Sequence, residues 1–255
     1  MWEAFFKANF DQLTSHYPGL KLLRFLKEVS DLSHVSNLED KLLEGVPFDY
    51  LRGWSEFYGV KLDINHHVLI PRPETEWLVD LIVRSSKSYE SVLDVGVGSG
   101  AILLSLLKSK KAKKGVGVDV SLEALKVAQL NAQTNQLEAT FIQSDRLDKI
   151  SSTFDLIVSN PPYIKQEKHF HLVHPSVIKF EPHQALFLSD EIYAAWFEQL
   201  FRQVFTALNQ SGDFYLEGHE ETLPELETML SSVGFSQVEL MKDLSGTWRF
   251  LKATK

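Results

Sequence analysis

The chain has 255 residues, 44% hydrophobic and 24% charged, with 17 Phe, 7 Tyr and 5 Trp, so it can bury a large core and is not wholesale disordered. Its net charge of −8, from 26 basic and 34 acidic residues, disfavours non-specific binding to bare nucleic acid, which needs a basic face. It has no cysteine, which excludes disulfides, thiol nucleophiles and cysteine-ligated zinc and fits a reducing, cytoplasmic setting.

The opening MWEAFFKANFDQL lacks the basic and then apolar pattern of a secretion signal. Nowhere does an uncharged apolar run approach the roughly 18 residues that span a membrane. Over the first fifty residues, apolar side chains recur at helical spacing: Trp2, Phe5, Phe6, Phe10 and Leu13, then Leu22, Leu23, Phe25, Leu26 and Val29, then Leu32, Val35, Leu38 and Leu42. Short amphipathic helices must bury these stripes against one another, so residues 1–55 read as a small helical domain. Val60, Leu62 and Ile64 then alternate with polar residues, as in a half-buried strand. Asn65-His66-His67 reads as a turn and Val68-Leu69-Ile70 as the return strand, which makes 56–72 a β-hairpin linker. Pro71 and Pro73 stop that strand, and Pro73 opens a helix with Glu74 and Glu76 in its first turn.

From residue 91 strands and helices alternate. SVLDVGV (91–97), GVGVDV (115–120), ATFIQSD (139–145) and FDLIVSN (154–160) read as buried strands, and a helix follows each of the first two. A helix near 191–208, a strand at 212–218, a helix at about 221–232 and two strand-like runs, 235–241 and 247–253, complete the chain. Repeated βαβ units predict a mostly parallel sheet covered on both faces, and the adjacent strands at the end predict an antiparallel finish.

The first site candidate is Asp94-Val95-Gly96-Val97-Gly98-Ser99-Gly100, at a strand-to-helix turn. Glycines there let the backbone approach a ligand and aim N–H groups at it. Strand two ends at Asp119, where an acid accepts hydrogen bonds from a ribose diol in doubly wound folds. The spacing is G-x-G-x-G, so the pair indicates an adenosine-containing ligand rather than a nicotinamide dinucleotide. No Gly-Lys-Ser/Thr follows, so it is not a P-loop. Ser99 is not a nucleophile elbow either, because Val97 and Ala101 stand where that motif needs glycine.

The second candidate is Asn160-Pro161-Pro162-Tyr163, directly after strand four. Two prolines cannot continue a central strand, so they lock a rigid turn at its carboxyl end, where ligands bind in open α/β sheets. The asparagine oxygen and the Pro161 carbonyl make two acceptors able to grip a planar NH₂ group, with Tyr163 available to stack on its plane. Such a nitrogen is a poor nucleophile and needs to be held and aimed. Together the two candidates describe methyl transfer from a sulfonium to an NH₂ nitrogen, driven largely by positioning. Adenine presents a planar NH₂ as well, so these residues alone leave an adenine-N6 nucleic-acid methyltransferase open.

From about Pro47 onward the chain resembles the HemK/PrmC-type glutamine-N5 methyltransferases of peptide chain release factors. The resemblance is carried by Glu56-Phe57-Tyr58-Gly59, the run Val68–Glu76 (VLIPRPETE), Asp94–Gly100, Asn160–Ile164, Phe180-Glu181-Pro182 and Leu216-Glu217-Gly218. It implies a class I, Rossmann-like methyltransferase domain at 73–255, behind a helical substrate-docking domain at 1–55. It also implies that Gly96, Val97, Gly98, Ser99, Gly100 and Asp119 hold the methionine and ribose parts of S-adenosyl-L-methionine. Asp145 and Arg146 would lie at the adenine. Asn160, Pro161, Pro162 and Tyr163 would hold the substrate glutamine, with Asn160 also near the cofactor. The implied partner is the Gly-Gly-Gln loop of a class I release factor, met by a monomer that binds neither nucleic acid nor membrane. A sister family acts on a ribosomal-protein glutamine and shares Asn-Pro-Pro-Tyr, but it departs from the Pro-Arg-Pro-Glu-Thr-Glu run kept here. Val97 and Ser99 stand where the family usually carries threonine, and Arg146 stands where it usually carries a bulky apolar residue.

Three further features are conspicuous. His169, His171, His174 and His183 cluster in a long segment, 164–189, that reads as a substrate-side loop rather than a metal site. Lys108, Lys110, Lys111, Lys113 and Lys114 read as a solvated helix end. Arg72 and Glu74 read either as helix-capping residues or as a pocket wall.

Overall fold

In the computed structural model, which describes residues 1–255, the chain opens with five short helices. These are α1 (Trp2–Ala8), α2 (Phe10–His16), α3 (Leu22–Ser30), α4 (Leu38–Leu43) and α5 (Phe48–Arg52). None is long enough to hold itself in water. Their stability comes from a shared core in which Phe6, Leu13, Phe25, Val29, Leu32, Leu42, Phe48 and Leu51 bury one another. Tyr17 ties this bundle internally, its hydroxyl donating to the Val46 carbonyl at 2.8 Å.

The next two elements correct the hairpin read from sequence. Strand β1 (Trp54–Phe57) pairs antiparallel with β2 (Val60–Asp63), and the two-residue turn is Tyr58-Gly59. Both turn residues have positive φ, 45° and 72°, as a tight hairpin turn of this length requires. Tyr58 is held there by its N–H donating to Glu76 (2.8 Å) and its hydroxyl to Asp80 (3.0 Å). Residues 68–70 form no strand. Val68 and Ile70 are buried, but their backbone is satisfied one group at a time: Val68 N–H by the Asn65 carbonyl, Val68 O by the Tyr50 hydroxyl and Ile70 N–H by Glu181. The apolar run there reflects burial without a ladder.

Helix α6 (Pro73–Arg84) follows, and then the strand–helix alternation predicted from the sequence. It runs β3 (Tyr89–Val95), α7 (Ala101–Lys108), β4 (Ala112–Asp119), α8 (Leu122–Thr134), β5 (Thr140–Gln143) and β6 (Phe154–Ser159). Residues 164–189 carry short elements of their own: β7 (Ile164–Lys165), α9 (Gln166–His169), α10 (Pro175–Phe180) and β8 (Phe187–Leu188), with β7 paired to β8. The chain ends with α11 (Asp190–Ala207), β9 (Leu208–Glu217), α12 (Leu223–Val233), β10 (Gln237–Lys242) and β11 (Trp248–Thr254).

Seven strands form one sheet in the order β10-β11-β9-β6-β3-β4-β5. Neighbours from β9 to β5 are parallel, while β11 runs antiparallel between β9 and β10. Successive residues along each strand feed opposite faces. Val92, Val158 and Tyr215 pack under α6, α7 and α8, whereas Leu93, Ile157, Phe214 and Leu216 pack under α11 and α12. From β3 the chain winds outward through β4 and β5, then returns to the other side of β3 as β6. That reversal opens a crevice at the carboxyl ends of β3 and β6. The register pairs Val95 with both Val118 and Ser159, so Gly96, Asp119 and Asn160 emerge side by side.

Candidate active site

A cavity of about 610 Å³ occupies that crevice. The loop 96–100 forms its floor. Gly96, Gly98 and Gly100 all have positive φ (77°, 52° and 86°), which explains glycine at every second position. Gly96 and Val97 N–H both donate to the Val118 carbonyl, at 2.8 and 2.9 Å, pinning the loop to β4. Val97 packs its side chain onto Gly117, where a Cβ would approach to 2.7 Å, so this position serves packing here. Gly96, Val97, Gly98 and Ser99 line the cavity. Gly100 does not: it starts α7, and its hydrogen-only side chain makes room for Leu104.

Two acids face the loop. Asp119 accepts from Gly98 N–H at 3.0 Å and from Ser121 N–H at 2.9 Å, leaving acceptor capacity toward the cavity. Burial raises its carboxyl above the usual range, against the pull of those backbone donors. Asp94 is 1% exposed. Asp94 borders the cavity; its Oδ2 accepts from Leu103 N–H at 3.2 Å, while its Oδ1 is buried and has no partner. Burial pushes this carboxyl up to about 7, with the nearby Asp119 charge adding to the effect. An orphaned buried acceptor in a cavity wall is completed by a ligand that brings a donor.

Asp145 and Arg146 form the wall beyond β5. Arg146 adopts φ 45°, and its guanidinium donates to both carboxylate oxygens of Asp145, at 3.1 and 2.9 Å. The same guanidinium lies 5.3 Å from the Trp196 ring, a cation–π contact. A flat positive surface therefore stands where an apolar side chain would otherwise be. Trp196, on α11, borders the cavity too; nothing in its spacing along the sequence distinguished it from other helix aromatics.

Asn160, Pro161 and Pro162 line the opposite side. Ser159 Oγ donates to the Val95 carbonyl at 2.7 Å, clamping the end of β6 to β3 just before the turn. Asn160 Nδ2 donates to Thr75 Oγ1 at 3.2 Å, and Thr75 Oγ1 donates to Glu217 Oε2 at 2.7 Å. Tyr163 departs from the position read from sequence. It does not line the cavity but turns its hydroxyl to Glu217 Oε1 at 3.3 Å, where burial holds the phenol in its protonated form. Its ring therefore braces the turn from behind. Glu217 is 1% exposed, and burial pushes its carboxyl up to about 7 against the Thr75 bond and the Arg249 charge.

The rim is made by residues distant in sequence. Arg72 lines the cavity and donates to Glu181 Oε1 at 2.5 Å, while Glu181 Oε2 accepts from Ile70 N–H at 3.1 Å. Glu181 is 4% exposed, so this ion pair joins the 164–189 segment to the linker. Of the four clustered histidines, three have local partners or caps. His169 stacks on His219 at 4.5 Å, His174 Nδ1 accepts from Ser176 N–H, and His183 Nε2 donates to the Ile178 carbonyl. In the lysine run, Lys108 donates to Gly59 O, and Lys111 departs from the expected solvated helix end: it is buried and donates to the carbonyls of Val83 and Ser85.

The donor set fits a ligand with an amine, a ribose-like diol and a flat ring. Asp94 Oδ1 awaits a donor, Asp119 has spare acceptor capacity, the glycine loop exposes backbone, and Trp196 with Arg146 supplies a planar surface.

Comparison with known proteins agrees. Residues 73–187 match the family model of the methyltransferase small domain. A release factor glutamine methyltransferase of Lactococcus lactis subsp. lactis is 41% identical over 199 residues, 78% of this chain and 73% of that protein. One from Flavobacterium psychrophilum is 34% identical over 219 residues, 83% of this chain and 76% of that protein. Among solved structures, a methyltransferase from Pyrococcus furiosus superimposes with a TM-score of 0.57 at 21% identity, covering 76% of this chain and 89% of that one. A 16S rRNA N2 methyltransferase of T. thermophilus, in complex with AdoMet and guanosine, does so with a TM-score of 0.57 at 20% identity, covering 79% and 49%. At those identities the structural likeness establishes the fold.

Proposed function

The chain belongs to the release factor glutamine methyltransferase family, and on that premise we propose that it methylates the side-chain amide nitrogen of the glutamine in the Gly-Gly-Gln loop of class I peptide chain release factors. The observation that carries the reading is that the glycine loop with Asp119 and the Asn160-Pro161-Pro162 turn face one another across a single cavity. S-adenosyl-L-methionine, when bound, supplies an electrophilic methyl on a sulfonium sulfur. In this reading Asp119 receives the ribose hydroxyls, Asp94 Oδ1 receives the methionyl ammonium, and the backbone of Gly96 to Ser99 follows the methionine. Asp145, Arg146 and Trp196 flank the adenine.

Asn160 holds the acceptor carboxamide. Its Nδ2 is engaged by Thr75, so its oxygen is available to an incoming N–H. A second acceptor at the Pro161 carbonyl would fix the plane of that amide. Two such contacts draw electron density toward the nitrogen and aim it, which is most of what a delocalised nitrogen needs. The prolines keep the turn rigid, and Tyr163 braces it against Glu217. The proton released from nitrogen passes to water, since no side chain of the Asn160-Pro161-Pro162-Tyr163 turn is a general base. Residues 1–55 serve as the docking surface for the release factor, and 73–255 as the catalytic domain. The product is S-adenosyl-L-homocysteine.

The test is mass spectrometry of a purified class I release factor incubated with the protein and S-adenosyl-L-methionine. A gain of one CH₂ on the Gly-Gly-Gln glutamine supports the reading. A gain on another residue, on a ribosomal protein alone, or on adenine in nucleic acid refutes it.

A further inference from the structure

The hydroxyl of Thr75 lies between two groups with opposite requirements. Glu217 is 1% exposed, and its carboxylate, once ionised, only accepts hydrogen bonds. In that ionised state, which prevails above the carboxyl's raised value of about 7, Thr75 directs its single proton to Glu217 Oε2, 2.7 Å away. What remains on Thr75 Oγ1 is lone-pair capacity, and Asn160 Nδ2, 3.2 Å away, supplies the donor. The Tyr163 hydroxyl engages the other carboxylate oxygen at 3.3 Å, so Glu217 faces donors at both oxygens. Arg249, on β11, favours the ionised form, while Glu74, on α6, opposes it. The polarity of the chain then runs one way, from carboxylate to hydroxyl to carboxamide.

The two ends of an asparagine side chain are nearly equal in size but opposite in hydrogen-bonding sense, and the surrounding network decides which points where. Oxygen outward, Asn160 can receive an N–H from an incoming carboxamide. Nitrogen outward, it would meet NH₂ with NH₂ and hold nothing. We propose that Thr75 and Glu217 are positioning residues that keep Asn160 oxygen-outward, and so set the acceptor character of the substrate corner. The three residues belong to distinct elements: Thr75 to α6, Glu217 to the end of β9, and Asn160 to the turn after β6. Thr75 is 4% exposed yet borders the cavity, so its hydroxyl is shielded from bulk water while reaching Asn160. The inference deepens the functional reading and rests on it in one respect, that Asn160 grips a carboxamide.

The test uses the full chain with Thr75→Val, which keeps the shape and removes the hydroxyl, with Thr75→Ala as a smaller replacement and Thr75→Ser as the rescue. In release factor methylation, kcat is expected to fall about 10- to 100-fold in Thr75→Val, since small misorientations of a reacting group have effects of that order. Affinity for S-adenosylhomocysteine should stay near that of wild type, and Thr75→Ser should recover most of the rate. A merely structural role would lower cofactor affinity and thermal stability together with kcat, and serine would not restore the rate selectively. Nitrogen-15 NMR of the Asn160 side-chain amide gives a readout that needs no substrate. Its protons should exchange slowly in wild type and Thr75→Ser, and fast, with shifted resonances, in Thr75→Val and Thr75→Ala. Wild-type kcat in Thr75→Val, or unchanged Asn160 amide signals, would overturn the proposal. If the wild-type protein modified no glutamine at all, the functional reading would fail while the NMR comparison still decided the positioning role.

Discussion

Replacing Asp119 by alanine tests how the cavity recognises its cofactor. Each Asp119 oxygen already accepts one backbone N–H, from Gly98 at 3.0 Å and Ser121 at 2.9 Å. A carboxylate offers about four acceptor sites, so about two remain for a ribose diol. Hydrogen bonds to a charged group contribute about 1.5–3 kcal/mol, and the two on one diol are not independent, so the loss should be on the order of 1.5–3 kcal/mol in all. At about 1.4 kcal/mol per tenfold, the dissociation constant for S-adenosylhomocysteine should rise about 10- to 150-fold. Alanine also frees Gly98 N–H, which could loosen the loop. Asp119→Asn separates the two effects, because its oxygen can keep one backbone donor while the charge is lost, and its affinity should lie between the others. Isothermal titration calorimetry reads all three proteins. A dissociation constant for Asp119→Ala within about twofold of wild type would refute the assignment, since a carboxylate bound to a diol cannot be removed at no cost.

Other perturbations probe the remaining walls. Burial pushes the carboxyls of Asp94 and Glu217 up to about 7, so both bind protons more tightly folded than unfolded. Their contribution is full at acid pH below the unfolded values and is lost as pH rises toward 7, on the order of 3–4 kcal/mol per group. Asp94→Asn keeps an acceptor for Leu103 N–H and removes the titration. Urea unfolding of the ligand-free protein should therefore show a flatter fall in stability from pH 5 to about 7.5 in this variant, and a slope equal to wild type would contradict the burial argument. Arg146→Ala removes a guanidinium from the Trp196 face and from Asp145. In the proposed adenine wall the guanidinium faces the adenine ring, so cofactor affinity should weaken about twofold to fivefold, the order of one cation–π contact, and an unchanged calorimetric value would take Arg146 out of that wall. Arg72→Ala leaves the buried Glu181 carboxylate with Ile70 N–H alone. We expect a loss of about 1.5–3 kcal/mol in stability and faster hydrogen exchange across 164–189; unaltered exchange there would show that the pair does not anchor the segment.

Much of this arrangement could be read from the sequence because it obeys local rules. Strands β3, β4 and β6 each carry a short apolar segment, around Val92-Leu93, Val116–Val118 and Leu156–Val158, and the glycines after β3 stand where positive φ demands them. The double proline after β6 marks the rigid turn for the same reason. Local rules failed where long-range partners replaced them. Val68-Leu69-Ile70 reads as a short apolar strand, yet Tyr50 and Glu181 satisfy the backbone of Val68 and Ile70, so the true hairpin lies earlier, at a Tyr58-Gly59 turn that depends on Glu76 and Asp80. Residues 164–189 read as loop because their helices and paired strands are too short for any periodicity, and Glu181 anchors them only in three dimensions. Thr75 and Glu217 are 142 residues apart, and nothing in their separate surroundings marks them as partners of Asn160. Tyr163 has the right chemistry for stacking on a substrate, but Glu217 behind the turn attracts its hydroxyl away from the cavity.

The most direct test of the central claim is a crystal structure of the protein with S-adenosylhomocysteine and a peptide carrying the Gly-Gly-Gln sequence. The cofactor's ribose should lie on Asp119 and the glutamine side chain in the same cavity, its nitrogen turned toward the sulfur and about 3 Å from Asn160 Oδ1. A glutamine bound elsewhere, or an Asn160 that presents nitrogen rather than oxygen to it, would refute the carboxamide grip.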